Sequence, residues 1–180
     1  MGDVRTLLTF EQFEQLPDDP GKCELLEGEL IEMPPAKRKH NRTSERLFRR
    51  LDAAVRKLHR RGQAAGLGDT HHEEGYLLGP VTWLKPDVSI THANQPEGDY
   101  FEGAPALAVE VISESNTPRK IARKVEAFLA HGSVEVWVIY PDRRQLLLYR
   151  KGAAVTTHSG RFTSDLLPGV EIDLDAILGE

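Results

Sequence analysis

Cysteine is almost absent: Cys23 is the only one in 180 residues. No intrachain disulfide can form, and a zinc site built from several cysteines is excluded. No apolar run is long enough to cross a bilayer, so no membrane role is expected. The opening "MGDVRTLLTF" lacks the basic start and long apolar core of a signal peptide, and a cytoplasmic location is expected. Internal repeats, low-complexity stretches and a glycine-rich phosphate loop of the P-loop or dinucleotide type are also missing.

What is present is ordinary for a soluble globular chain, with 39% hydrophobic and 28% charged residues. The length suits one domain, expected to span residues 1–180. Net charge is −5, which by itself argues against a nucleic-acid partner, but the distribution is uneven. Between Lys37 and Arg61 eleven Lys and Arg face two acids, Glu45 and Asp52, so this segment carries +9 and the rest −14. Such polarity is a footprint of nucleic-acid binding, with a solvated helix face as the plainer reading.

The pattern of elements is that of an α/β sandwich, with helices set against strands without regular alternation. "TFEQFEQL" reads as a short helix capped by Thr9 and ended by Pro17 to Gly21. "CELLEGELIEM" alternates about Glu27-Gly28 as a hairpin, and "PPAKRKH" is a break. From Asn41 to Arg61, Leu47, Leu51, Ala54, Val55 and Leu58 recur at helical spacing. Strands are expected at "EEGYLLG", "TWLKPDVSI" and "ALAVEVIS", followed by a helix in "NTPRKIARKVEAFLAHG". There Thr117 suits the N-cap, Pro118 the first helical position and Gly132 the stop. "VEVWVIY" and "RQLLLYR" are paired strands, and "LPGVEIDLDAIL" is a loop, a short strand and a last helical turn.

Glu110 stands in the middle of the apolar run "ALAVEVIS". A carboxylate in a strand buried on both faces costs several kcal/mol unless something pairs with it. A second acid, Asp87 in "KPDVSI", lies on another predicted central strand. If the strands are neighbours, both carboxylates converge at one end of the sheet, where they repel unless a cation or a shared proton intervenes. Oxygen ligands suit a hard divalent ion such as Mg²⁺. On the following helix, Lys124 falls roughly 85° from the centre of the apolar face and can deliver its ammonium inward, whereas Arg123 points nearly opposite. Lys120, one turn earlier, is the reserve candidate.

"PDVSI", then "PALAVEVISESNTPRKIARKVEAFLAHGSVEVWVIYPDRR", then "LPGVEIDL", preceded by "CELLEGELIEMPP" and His40, closely resemble the Uma-two family of restriction endonucleases. The resemblance covers nearly the whole chain. It implies a restriction-endonuclease-like (PD-(D/E)XK) core, a central mixed sheet flanked by helices, here with an N-terminal hairpin. Pro86-Asp87 matches the PD of the signature and Glu110 its second acid; Ile112 stands where the signature lysine is expected. The resemblance implies that Lys124 takes over that role, and that Asp87, Glu110 and the main-chain carbonyl of Val111 hold Mg²⁺ or Mn²⁺. It also matches Glu24 to an acid at the outer edge of the site and His40 to a phosphate contact or proton carrier. The implied activity is metal-dependent endonucleolytic hydrolysis of DNA, with double-stranded DNA as partner. Lys37, Arg38, Lys39, Arg42 and Arg46 are candidate contacts to it, and a homodimer would suit cutting both strands.

Plainer readings stand beside these. Asp87 follows a proline and can simply end a turn; Glu110 can form a buried salt bridge; Lys124 can be a boundary lysine. The adjacent His71 and His72 point to opposite faces of a strand and are not expected to share an ion. Ser113, Ser115 and Asn116 suit capping of the second helix better than nucleophilic catalysis, and Trp83 and Trp137 suit the core. The competing function is a catalytically inactive nucleic-acid-binding or protein-interaction scaffold on the same fold, motivated by Ile112 and the acidic bulk. A two-carboxylate glycosidase has nothing behind it but the acidic pair.

Overall fold

The computed structural model describes residues 7–17, 23–114 and 116–179. Ser115 and residues 18–21 of the expected helix stop lie outside them. The chain runs α1 (Phe10–Glu14), β1 (Cys23–Leu26), β2 (Glu29–Glu32), α2 (Arg38–Arg60), β3 (Leu67–His72), β4 (Tyr76–Gly79), β5 (Thr82–Leu84) and β6 (Val88–His92). It continues through β7 (Phe101–Glu102), β8 (Leu107–Val111), α3 (Pro118–Ala130), β9 (Glu135–Tyr140), β10 (Gln145–Tyr149), β11 (Thr156–His158), β12 (Arg161–Thr163), β13 (Glu171–Asp173) and α4 (Leu174–Leu178). Among the described residues, no helix is long and apolar enough to cross a membrane.

Two sheets carry the architecture. One is six-stranded, in the order β11-β10-β9-β8-β6-β3, and mixed, because β8 and β9 run parallel across the α3 crossover. The other is five-stranded, β2-β1-β5-β4-β7, and includes the expected hairpin; β12 and β13 form a separate ribbon. Alternation along β8 and β9 sorts the core into two layers. Leu107, Val109, Trp137 and Ile139 pack with Leu47, Leu51, Val55 and Leu58 of α2. Ala108, Val136 and Val138 pack with Ile121, Val125 and Phe128 of α3, and with Leu26, Tyr76 and Leu84 from the second sheet. Glu110, two residues beyond Ala108, falls on this α3 side.

Three expectations need correction. "TWLKPDVSI" is two strands rather than one: β5 and β6 belong to different sheets, and the chain passes between them at Lys85, Pro86 and Asp87. Pro86 has no N–H for a ladder, which is where a strand is expected to break. Helix α2 begins at Arg38, before Asn41, so His40 lies in its first turn. Finally β3 went unread, because in "LGDTHH" only Leu67 and Thr70 are buried and no apolar alternation marks the strand.

The caps form as their residues dictate. Thr9 and Gln12 make a reciprocal capping box on α1, and the Thr117 hydroxyl accepts from Lys120 N at the start of α3. Asn116 Oδ1 accepts from Ser113 N and Oγ at 2.7 and 2.9 Å, folding the turn that leads into α3. His71 meets the ring of Phe101, while His72 Nε2 lies 2.6 Å from Ser44 Oγ of α2. The two imidazoles therefore serve different neighbours.

Candidate active site

The antiparallel pairing of β6 with β8 sets Val88 opposite Val109. Asp87, one residue ahead of β6, therefore lies beside the end of β8, where its Oδ2 accepts from Val111 N at 2.6 Å. Its Oδ1 lies 3.2 Å from His40 Nε2 on the first turn of α2. The Asp87 hydrogen bond outweighs burial and raises the His40 imidazole to about 9. A raised cationic pKa stabilises the fold fully below the unfolded value of about 6.5 and is lost as pH rises through about 9. His40→Gln should accordingly lower the melting temperature near neutrality, by a margin that narrows as the pH climbs past 9. A margin independent of pH would refute the charged contact.

Lys124 reaches inward from α3 to two carboxylates. Its Nζ donates to Glu24 Oε1 at 3.0 Å and lies 2.6 Å from Glu110 Oε1. Burial works against the ammonium, but Glu110 and Glu24 outweigh it and hold its pKa above the ordinary lysine value. Glu24 comes from β1 of the other sheet, and the same oxygen accepts from Lys85 N at 2.8 Å. Glu110 Oε1 is buried, and the Lys124 ammonium is the group that meets it. Burial first, then the negative charges of Glu24 and Asp87, push the Glu110 carboxyl up to about 8 against the pull of Lys124. Three acids thus converge where two sheets and two helices meet.

An outer clamp supports this inner contact. Arg123 Nε and Nη2 donate to Glu27 Oε2 at 3.0 and 2.6 Å, and its Nη1 donates to Glu29 Oε2 at 2.6 Å. Glu27 sits at the hairpin turn with φ +53°, a conformation that favours Gly, Asn or Asp, so its carboxylate rather than its backbone suits it to the place. Neighbouring residues of α3 therefore bind the hairpin from outside (Arg123) and inside (Lys124).

The cluster opens into a cleft of about 260 Å³, lined also by Met33, Pro34, Pro35, Asn116 and Lys120. All five residues expected at the site, Asp87, Glu110, Lys124, Glu24 and His40, line it, together with Val111. Sequence reasoning missed Lys85 and the segment 33–36, which carries no periodicity to mark it. The candidate nucleic-acid contacts lie differently. Lys37 and Lys39 are ion-paired with Glu114 and Asp142, Arg46 Nη1 donates to Ile177 O at 3.4 Å, and Arg38 and Arg42 are exposed.

Among the described residues, no three His, Cys, Asp or Glu side chains are grouped to hold a metal ion. The donors at the site are two carboxylates, Asp87 and Glu110, beside the main chain of Val111. Two buried carboxylates with a third acid, Glu24, close by make this donor set fit a hard divalent cation.

Residues 10–175 match the family model of Uma2, described as "Putative restriction endonuclease". The chain belongs to the Uma2 family. Its Uma2 fold is shared by the crystal structure of a "putative nuclease belonging to DUF820" from Anabaena variabilis ATCC 29413, at TM-score 0.80 and 18% identity, over 95% of this chain and 97% of that one. No curated protein matches the sequence. At 18% identity the likeness concerns the fold.

Proposed function

We propose that this Uma2 protein is a metal-dependent endonuclease that hydrolyses phosphodiester bonds in DNA. The observation that carries the reading is Glu110: a buried carboxylate in an apolar strand that shares the lining of an open cleft with two further acids, Asp87 and Glu24. Asp87, Glu110 and the Val111 carbonyl would hold Mg²⁺ or Mn²⁺. Such an ion polarises the scissile phosphate and lowers the pKa of an attacking water. Lys124 orients that water and offsets negative charge developing on the phosphate, while Glu24 keeps the ammonium in place. His40, held against Asp87, is placed to meet a phosphate oxygen or carry a proton.

The test is a calorimetric titration of Mn²⁺ into the wild type, Asp87→Asn and Glu110→Gln. Binding in the wild type that disappears in both variants supports the reading. Protons on His40 and Glu110 compete with the cation, since both groups hold theirs near or above neutrality. Affinity should therefore strengthen as pH rises toward about 9.

One observation favours the scaffold reading: both Asp87 oxygens are already engaged, by Val111 N and by His40. A wild type that takes up no Mn²⁺, alone or with DNA present, would decide for a non-catalytic protein on this fold.

A further inference from the structure

We propose that the cleft takes a single nucleotide lifted out of the base stack, its phosphate toward Lys120 and Lys124 and its base against segment 33–36. The substrate class is then single-stranded or locally unpaired DNA. The inference rests on the nuclease reading and narrows it.

Depth is the first argument. Glu110, Lys124 and Asp87 are 5%, 6% and 9% exposed, so reacting atoms have to come down to them. Next to the lining residues, Lys37 at the head of α2 pairs with Glu114 in the loop after β8. At 260 Å³ the cleft lies just under the roughly 300–1,000 Å³ of small-molecule sites and has room for one nucleotide unit at most.

The character of the lining is the second. Pro34, Pro35 and Ala36 are exposed and Met33 is half-buried. Among the described residues, no backbone hydrogen bond ties 33–36 to a neighbouring element. Two successive prolines fix φ and keep the segment extended without such bonds, as a stiff apolar rail. A stacked duplex keeps its base faces covered and offers such a rail only groove edges and sugars. An unstacked base has an apolar face to lay on it.

The third is what the basic helix offers. Lys37 and Lys39 pair at the surface with acids of this chain, Glu114 and Asp142, which leaves Arg38 and Arg42 as a short exposed cationic edge rather than a long track for a duplex backbone. The double-stranded partner expected from the family resemblance is thereby narrowed to DNA opened at the point of cleavage.

The experiment compares a labelled mixed-sequence DNA strand, alone and annealed to its complement, for binding in Ca²⁺ and cutting in Mg²⁺. The proteins are the wild type and Met33→Ser/Pro34→Ser, with Mn²⁺ titration reporting an intact metal site. The wild type should prefer the free strand about tenfold, the effect of one base stacked on a platform. The variant should lose that preference and keep its Mn²⁺ binding. Equal or tighter binding of the duplex with cuts in its paired interior, or a variant with its preference intact, would overturn the proposal alone. If neither DNA is bound while Mn²⁺ is, the nuclease reading falls as well.

Discussion

Asp87→Asn should abolish cleavage while leaving the protein folded. The asparagine carbonyl can still accept from Val111 N, as Asp87 Oδ2 does at 2.6 Å, so the junction between β6 and β8 keeps its hydrogen bond. What disappears is the negative charge, and with it the proposed cation ligand and the anion that holds His40 protonated. Several kcal/mol of transition-state stabilisation depend on such a cation, which corresponds to a rate loss of about a thousandfold or more. The assay is release of labelled fragments from a DNA strand in Mg²⁺, with a thermal melt on the same sample. His40 loses its anionic partner, so a modest fall in melting temperature is expected. A folded variant that cuts at the wild-type rate would sink the nuclease reading.

The second large effect concerns stability. Lys124→Met places an apolar side chain of similar length where an ammonium now lies between Glu24 and Glu110, both almost wholly buried. Removing one partner of a buried ion pair costs about 3–5 kcal/mol, because a charge is left without compensation. Here Glu24 is left at neutral pH and Glu110 joins it only as the pH rises past about 8, so the loss should reach that range on the alkaline side.

The sign with pH follows from the carboxyls. Burial and the neighbouring acids already raise the Glu110 carboxyl, and loss of Lys124 raises it further, so its protonation favours the folded state. The deficit against wild type is therefore largest above neutrality and shrinks as pH falls toward the ordinary glutamate range. Urea midpoints across that range measure it. Adding Glu24→Gln and Glu110→Gln to Lys124→Met should recover most of the stability, with no recovery of cleavage. A single substitution that costs less than about 1 kcal/mol would mean the ammonium is not holding the acids in place.

Much of the site was legible in the sequence because its residues are out of place there. Glu110 interrupts an apolar strand, Asp87 follows the proline that breaks one, and Lys124 stands at the edge of an amphipathic helix with both ends signposted by Thr117, Pro118 and Gly132. Helix α3, strand β8 and the hairpin β1–β2 came from the same local signals, and the mixed sheet between helices is as the family resemblance implied. Strand β3 did not, since its pairing with β6 rather than its own side chains makes it a strand. Nor did the division of "TWLKPDVSI", where one proline separates two sheets.

By itself, then, the sequence determined which residues are costly to bury and which helix faces inward, because periodicity, caps and a charge amid apolar neighbours are local properties of the chain. Only the tertiary structure decided who meets whom. Glu24 meets Lys124 across a separation of 100 residues, His40 holds Asp87, and Lys37 and Lys39 close on acids of their own chain. The reason is geometric: an ion pair forms over a few ångströms, and that proximity arises from the crossing of two sheets and two helices, which no short window of sequence contains.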